Sequence, residues 1–166
     1  MTKREAIFPA NRHALYEAHG YSAAIRSGEL LFVSGQVGSR EDGSPEPNFE
    51  RQVERAFDNL KAVLEATGGG FDDIVDVTTF HTDPESQFET IMKVKSRIFP
   101  EAPYPTWTAI GVNWLAGFDF EIKVIARIPG QAQPPDLHYR SRSSRSRDRH
   151  SKRRREPGFP TPDNQP

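Results

Sequence analysis

An α+β fold, in which a mixed sheet carries two helices on one face, is predicted by three features of this 166-residue chain. Two segments, 49–67 and 84–99, place apolar residues at helical spacing. Several short segments are β-rich, and the last, 118–127, alternates cleanly between apolar and polar. Their order reads β-β-β-α-β-α-β-β, which lets both helices cover the same side of one sheet.

Residues 5–8 read as a short strand ended by Pro9, and 11–20 as a polar loop turning at Gly20. Residues 21–26 and 30–34 read as strands joined by a turn at 27–29. Leu30, Leu31, Phe32 and Val33 form an unbroken apolar run, which predicts burial on both faces. Gly35 interrupts that strand, as at a bulge or a close backbone approach. After a loop at 39–48 comes the first helix, striped by Val53, Ala56, Phe57, Leu60, Val63 and Leu64. Asn48 suits its N-cap, Glu50 its first turn, and Gly68-Gly69-Gly70 its end. Residues 74–82 read as a strand. Asp83-Pro84-Glu85 starts the second helix, whose apolar face is expected to hold Phe88, Ile91, Met92, Ile98 and Phe99. Residues 106–112 and 118–127 then read as a hairpin turning at Ala116-Gly117. On its second strand Phe118, Phe120, Ile122, Val124 and Ala126 share the core side, with Glu121 on the other. This hairpin is expected to carry the function.

The net charge of −1 conceals an asymmetry. Residues 130–166 hold 9 Lys+Arg against 4 Asp+Glu, whereas residues 1–129 hold 13 against 19. Two regions are therefore expected: an acidic folded body, 1–129, and a basic Arg/Ser-rich tail, 130–166, too poor in apolar residues to order. The leading expectation for that tail is a dispensable solvated extension; nucleic-acid binding is the weaker reading and would run only through it. The absence of Cys excludes disulfides, thiolate metal sites and Cys nucleophiles. With neither an apolar leader nor a run of spanning length, the expectation is a cytoplasmic protein with no membrane partner. The five histidines lack ligand spacing, so no metal is expected. Ser34, Asp76 and His81 do not make a triad: there is no G-x-S-x-G turn, and Asp76 and His81 differ in strand parity. Gly68-Gly69-Gly70 follows a helix and so caps it instead of cradling phosphate. The sheet face left bare by the helices carries mixed side chains, which points to another copy of the chain as partner.

Three stretches, LFVSGQVGS (31–39), AFDNLKAVLEATGGGFDDIVDVTTFHTD (56–83) and PTWTAIGVNWLAGFDFEIKVIARIP (105–129), together resemble the RidA/YjgF family of reactive-intermediate deaminases, in its YjgH-like, RutC-like branch. The likeness spans residues 5–129. It implies a chorismate-mutase-like fold, a homotrimer, and small-molecule sites in clefts between subunits. It also implies hydrolysis of a 2-imino acid, made from its enamine, to a 2-keto acid and ammonia, with no metal or organic cofactor. That chemistry needs a cation for the substrate carboxylate, best a bidentate guanidinium, and an acid/base group for water.

Carried over by resemblance, Tyr21 is the pocket tyrosine, and Ser34-Gly35-Gln36 matches the family's SGQ, with Ser34 and Gly35 at the ligand. Glu121 matches the glutamate that positions or activates water. The family's P-x-R-[ST] motif reads Pro105-Thr106-Trp107-Thr108, so Trp107 replaces the carboxylate-binding arginine and Thr108 keeps the hydroxyl. The second-helix asparagine falls at Met92, and a frequent cysteine at Ala109. Tryptophan cannot neutralise a carboxylate, and a charge-assisted hydrogen bond is worth about 1.5–3 kcal/mol. The expectation is weak or absent action on 2-imino acids, and a neutral, aromatic or cationic ligand against Trp107. The alternative is a non-catalytic small-molecule-binding trimer. Trp114 is expected to serve packing or the turn instead of ligand contact. Deleting residues 130–166 is expected to leave the body folded and its oligomeric state unchanged, as read by circular dichroism and light scattering.

Overall fold

The computed structural model describes residues 4–11 and 13–128; the Arg/Ser-rich tail expected from residue 130 lies outside them. The strands are β1 (Glu5–Ile7), β2 (Ala24–Ser27), β3 (Leu30–Val33), β4 (Gln36–Val37), β5 (Ile74–His81), β6 (Thr106–Gly111) and β7 (Phe120–Arg127). The helices are α1 (Leu15–His19), α2 (Phe49–Glu65) and α3 (Pro84–Ile98). One mixed sheet runs in the order β1-β2-β3-β7-β5-β6, with β4 also paired to β7. The α+β class and the two long helices on one sheet face are as the sequence predicts. The short α1 is additional: it falls within the stretch read as a loop and ends at Gly20, which adopts the left-handed conformation (φ 67).

The core lies between the sheet and the two long helices. Leu31, Val33, Val77, Phe120, Ile122 and Val124 meet Val53, Phe57, Leu60 and Leu64 of α2, and Ile91 and Val94 of α3. The Asn48 side chain accepts from the Arg51 N–H at 3.0 Å, the cap expected of it. Asp83 does not cap α3 with its side chain. The Gln87 side chain instead accepts from the Asp83 N–H at 3.2 Å, which holds the residue that precedes the helix. The two helices are tied by Glu50–Lys93 at 2.8 Å and Glu54–Arg97 at 2.9 Å.

The final two strands do not form a hairpin. β6 pairs in parallel with β5, Val77 opposite Trp107, while β7 pairs antiparallel with the other edge of β5, Val77 opposite Val124. The reason is local. Parallel pairing needs a crossover, and α3 supplies one between β5 and β6. β7, with one fully buried face, suits the sheet interior; β6, whose side chains are mostly exposed, suits an edge. The segment from β6 to β7 therefore passes over the end of β5, held by Val112 N–H to His81 O (2.8 Å) and Thr82 N–H to Asp119 O (3.2 Å).

Two burial expectations are also corrected. β3 is buried on one face only: Leu30 and Phe32 are 40% and 43% exposed, on the side away from the helices. Phe88 and Met92 do not belong to the buried stripe of α3, which is Gln87, Ile91 and Val94. Helical phase places those two apolar side chains outward. Among the described residues no helix is long and apolar enough to cross a membrane, and no cluster of three metal-ligating side chains occurs.

Gln52, buried in α2, fixes where β7 begins. Its carbonyl accepts from Asp119 N–H (2.7 Å) and Phe120 N–H (3.3 Å), and its amide donates to Glu46 O (3.0 Å). Gln52→Leu keeps the volume but strands these groups, and is expected to lower stability by about 1–3 kcal/mol in urea unfolding.

Candidate functional site

Glu121 sits one residue into β7, on the face opposite the helices. Its strand neighbour is β4, with Val37 directly opposite. Between β3 and β4 the pairing with β7 slips by one residue, since Phe32 faces Ile125 but Gln36 faces Ile122. The extra residue is a bulge containing Gly35. A Cβ at Gly35 would overlap the Glu121 carboxyl oxygen Oε1. The glycine thus gives room to the carboxyl group, a closer use than the ligand approach expected of it.

Tyr21, Gly35 and Glu121 line one pocket of about 260 Å³ together with Trp114, Phe118 and His19. The chain crossing over β5 brings Trp114 and Phe118 there, so Trp114 is a pocket residue, 75% exposed, and not only turn packing. Burial raises the Glu121 carboxyl above the usual glutamate range, opposed by the charge of Lys123. Burial, and then the Glu121 charge, likewise raise the Tyr21 phenol.

Behind the pocket stands a polar chain that sequence reasoning missed. The Tyr16 hydroxyl donates to Gln36 Oε1 at 2.8 Å, and Gln36 Nε2 donates to Ser34 O at 2.9 Å. The Tyr16 ring packs edge-on against Tyr21, with centroids 5.2 Å apart, and stacks on buried His13 at 4.2 Å. Burial pushes the Tyr16 phenol up to about 12, so it serves as a neutral donor. Ser34 is occupied locally: its hydroxyl donates to Ser22 O at 2.7 Å. A run such as Ser-Gly-Gln shows no sign of this division of labour without its partners Tyr16 and Ser22.

Trp107 and Thr108 lie elsewhere. Register places Trp107 with Val77 and Val124 on the helix side, and Glu121, three residues from Val124, on the opposite side. Trp107 Nε1–H donates to buried Thr79 Oγ1 at 3.2 Å, and that oxygen lies 2.8 Å from His81 Nε2. Phe99 meets the indole edge-on at 5.9 Å. Thr108 faces away from the helices and is exposed, opposite Thr78. Within one protomer the structure therefore gathers Tyr21, Gly35 and Glu121, leaves Ser34 adjacent but engaged, and sets Trp107 on the other side of the sheet.

Fold and pocket define a small α+β protein with a raised-pKa carboxyl in a partly apolar pocket, the equipment of an acid/base site for a small molecule. A family model described as endoribonuclease L-PSP matches residues 11–128. The RutC family protein YjgH of Escherichia coli is 72% identical over 131 residues, 79% of this chain and all of that protein. The solved structure of protein YjgH superimposes with a TM-score of 0.76 at 73% identity, covering 77% of this chain and 98% of that one. RidA from an Antarctic Psychrobacter gives a TM-score of 0.68 at 31% identity, covering 75% and 99%. A Dermatophagoides farinae relative named 2-iminobutanoate/2-iminopropanoate deaminase is 32% identical over 94 residues, 55% of this chain and 72% of that protein. The chain belongs to this RidA/YjgF, or RutC, family, and within it resembles YjgH.

A carboxyl whose folded-state pKa is raised favours the neutral form in the fold. Its stabilisation is complete below the unfolded pKa and is lost as pH rises through the folded one. Glu121→Gln is therefore expected to melt above the parent protein at about pH 8, with the difference closing below about pH 4. Thermal unfolding across that range checks it.

Proposed function

We propose that this protein hydrolyses a reactive enamine or imine, or a related small molecule, at a cleft between copies of the chain, with Glu121 as the acid/base group. The observation that carries the reading is the Glu121 carboxyl, raised by burial and seated on Gly35 beside Tyr21. A carboxyl group drawn toward neutrality exchanges protons readily in both directions. In the proposed step Glu121 takes a proton from water as the new C–O bond forms and the C=N π bond opens, and it returns that proton to nitrogen to give a carbinolamine. It then takes the hydroxyl proton as the C=O bond forms and passes it to nitrogen as the C–N bond breaks, releasing ammonia and leaving the carbonyl product.

The name of the Dermatophagoides relative supports this reaction type, and the replacement of the family's arginine by Trp107 supports a substrate other than the simple 2-imino acids. Trp107 and Glu121 lie on opposite faces of one sheet, so one cleft can include both only if two copies contribute to it. The bare face carrying Leu30, Phe32 and Ile110 offers the apolar surface for such an assembly, for which we infer the trimer of the family resemblance. A cytoplasmic location belongs to the same proposal.

A second reading, a non-catalytic binding trimer, is favoured by Met92 and Trp107 standing where the family pattern has polar groups. An RNA-cleaving reading, raised by the family model's description, is disfavoured by the acidic balance of residues 1–129. The test is ammonia release from a panel of imines generated in situ by an amino-acid oxidase. Release is expected from bulkier imines, with little from 2-iminopropanoate, and Glu121→Gln is expected to lower it by about a hundredfold to ten-thousandfold. No release above background from any imine would favour the binding reading.

A further inference from the structure

The far side of the sheet holds a second pocket of about 270 Å³, lined by Met92, Lys95, Ser96, Phe99, Pro100 and Tyr104. It lies where the end of α3 meets the approach to β6. Three cations project from the last two turns of α3, and they differ in what neutralises them. Lys93 pairs with Glu50, and Arg97 pairs with Glu50 and Glu54. Lys95 has no carboxylate partner among the described residues. Its ammonium stands 4.3 Å from the centroid of the Trp107 ring. A ring face attracts a cation but does not cancel its charge, so Lys95 keeps its capacity to bind an anion.

The ring is itself held firmly. Trp107 donates to buried Thr79 on one side and meets Phe99 edge-on on another. Lys95 is thereby placed at a pocket wall instead of sweeping through solvent. Around it the wall offers the Tyr104 hydroxyl as a donor, and Met92, Phe99 and Pro100 as apolar surface; the Ser96 hydroxyl donates to Lys93 O at 3.0 Å. Cation, hydroxyl donor and apolar wall together suit one ligand chemistry: a small carboxylate on an apolar body.

We propose that this pocket is the carboxylate-binding half of the ligand site, with Lys95, positioned by Trp107, as its cation. The substitution at position 107 then moves the positive charge from the strand to the helix instead of deleting it. The ligand is an apolar acid, in place of the neutral or cationic molecule expected from Trp107 alone. This inference rests on the reading that the protein binds a small molecule in the cleft.

Benzoate and its uncharged counterpart benzamide are suitable probes, read by nuclear magnetic resonance on the indole N–H signals. The chain has two tryptophans, and Trp114→Phe assigns the Trp107 signal. Benzoate is expected to shift that signal saturably, and benzamide at equal concentration to leave it in place. Lys95→Met, which keeps most of the stem over the ring, is expected to weaken benzoate binding about tenfold or more, the loss of one charge-assisted contact. Lys95→Arg is expected to retain it. Equal shifts from benzamide and benzoate, or undiminished benzoate binding by Lys95→Met, would overturn the proposal. Because the readout is binding, it stands if ammonia release fails. Conversely, ammonia release that persists in a Lys95→Met variant alongside unchanged benzoate binding removes this inference and leaves the catalytic reading.

Discussion

The Glu121 carboxyl lies directly on the backbone of Gly35, and much of the architecture serves that contact. Any side chain at position 35 would occupy the carboxyl's place. The glycine sits in a bulge, so β3 and β4 can both pair with β7 while the chain makes room between them. Behind it Gln36 and Tyr16 form a buried hydrogen-bonded brace. At the start of β7, Gln52 sets the height at which Glu121 emerges by binding two successive backbone N–H groups. A carboxyl so confined loses water on most sides, and this is the physical origin of its raised pKa.

The same sheet explains why the proposed site is divided. β5 lies between β6 and β7, so residues on the two flanking strands can face opposite ways while sharing β5 as a neighbour. Glu121 looks out from the bare face, where Tyr21 and Trp114 surround it. Trp107 looks toward α3, where Phe99 and Lys95 enclose it. Each half is incomplete for chemistry on a small acid: one has the acid/base group, the other the cation and the apolar wall. Association of copies through the apolar residues of the bare sheet face is the route by which the halves combine in our account.

The long elements were legible because their burial is periodic and local. The stripe of α2, its Asn48 cap and the alternation of β7 follow from side-chain spacing alone. The pairing of the last strands was not, because a glycine turn between two β-rich segments looks the same whether they pair with each other or flank a third strand. Only the parallel crossover through α3 and the unequal burial of β6 and β7 decide it. The α1 helix escaped notice because five residues carry too little periodicity, and its stability comes from Tyr16 reaching Gln36, 20 positions away. Of the site, Tyr21, Gly35 and Glu121 were visible as residues, but the role of Gly35 was visible only once Glu121 lay against it. Lys95 gave no signal, since a lysine on a charged helix is ordinary until its neighbours are seen to be paired and it is not.

The central claim, that the working cleft combines Glu121 of one copy with Trp107 and Lys95 of another, is tested most directly by mixing subunits. Glu121→Gln and Trp107→Ala chains would be unfolded together in equal amounts, refolded, and assayed for turnover of the best imine substrate. The account predicts that each variant alone is inactive and that the mixture recovers about a quarter of the parent activity, because that share of interfaces in a ring pairs two intact halves. Mixed oligomers as inactive as either variant alone would contradict it.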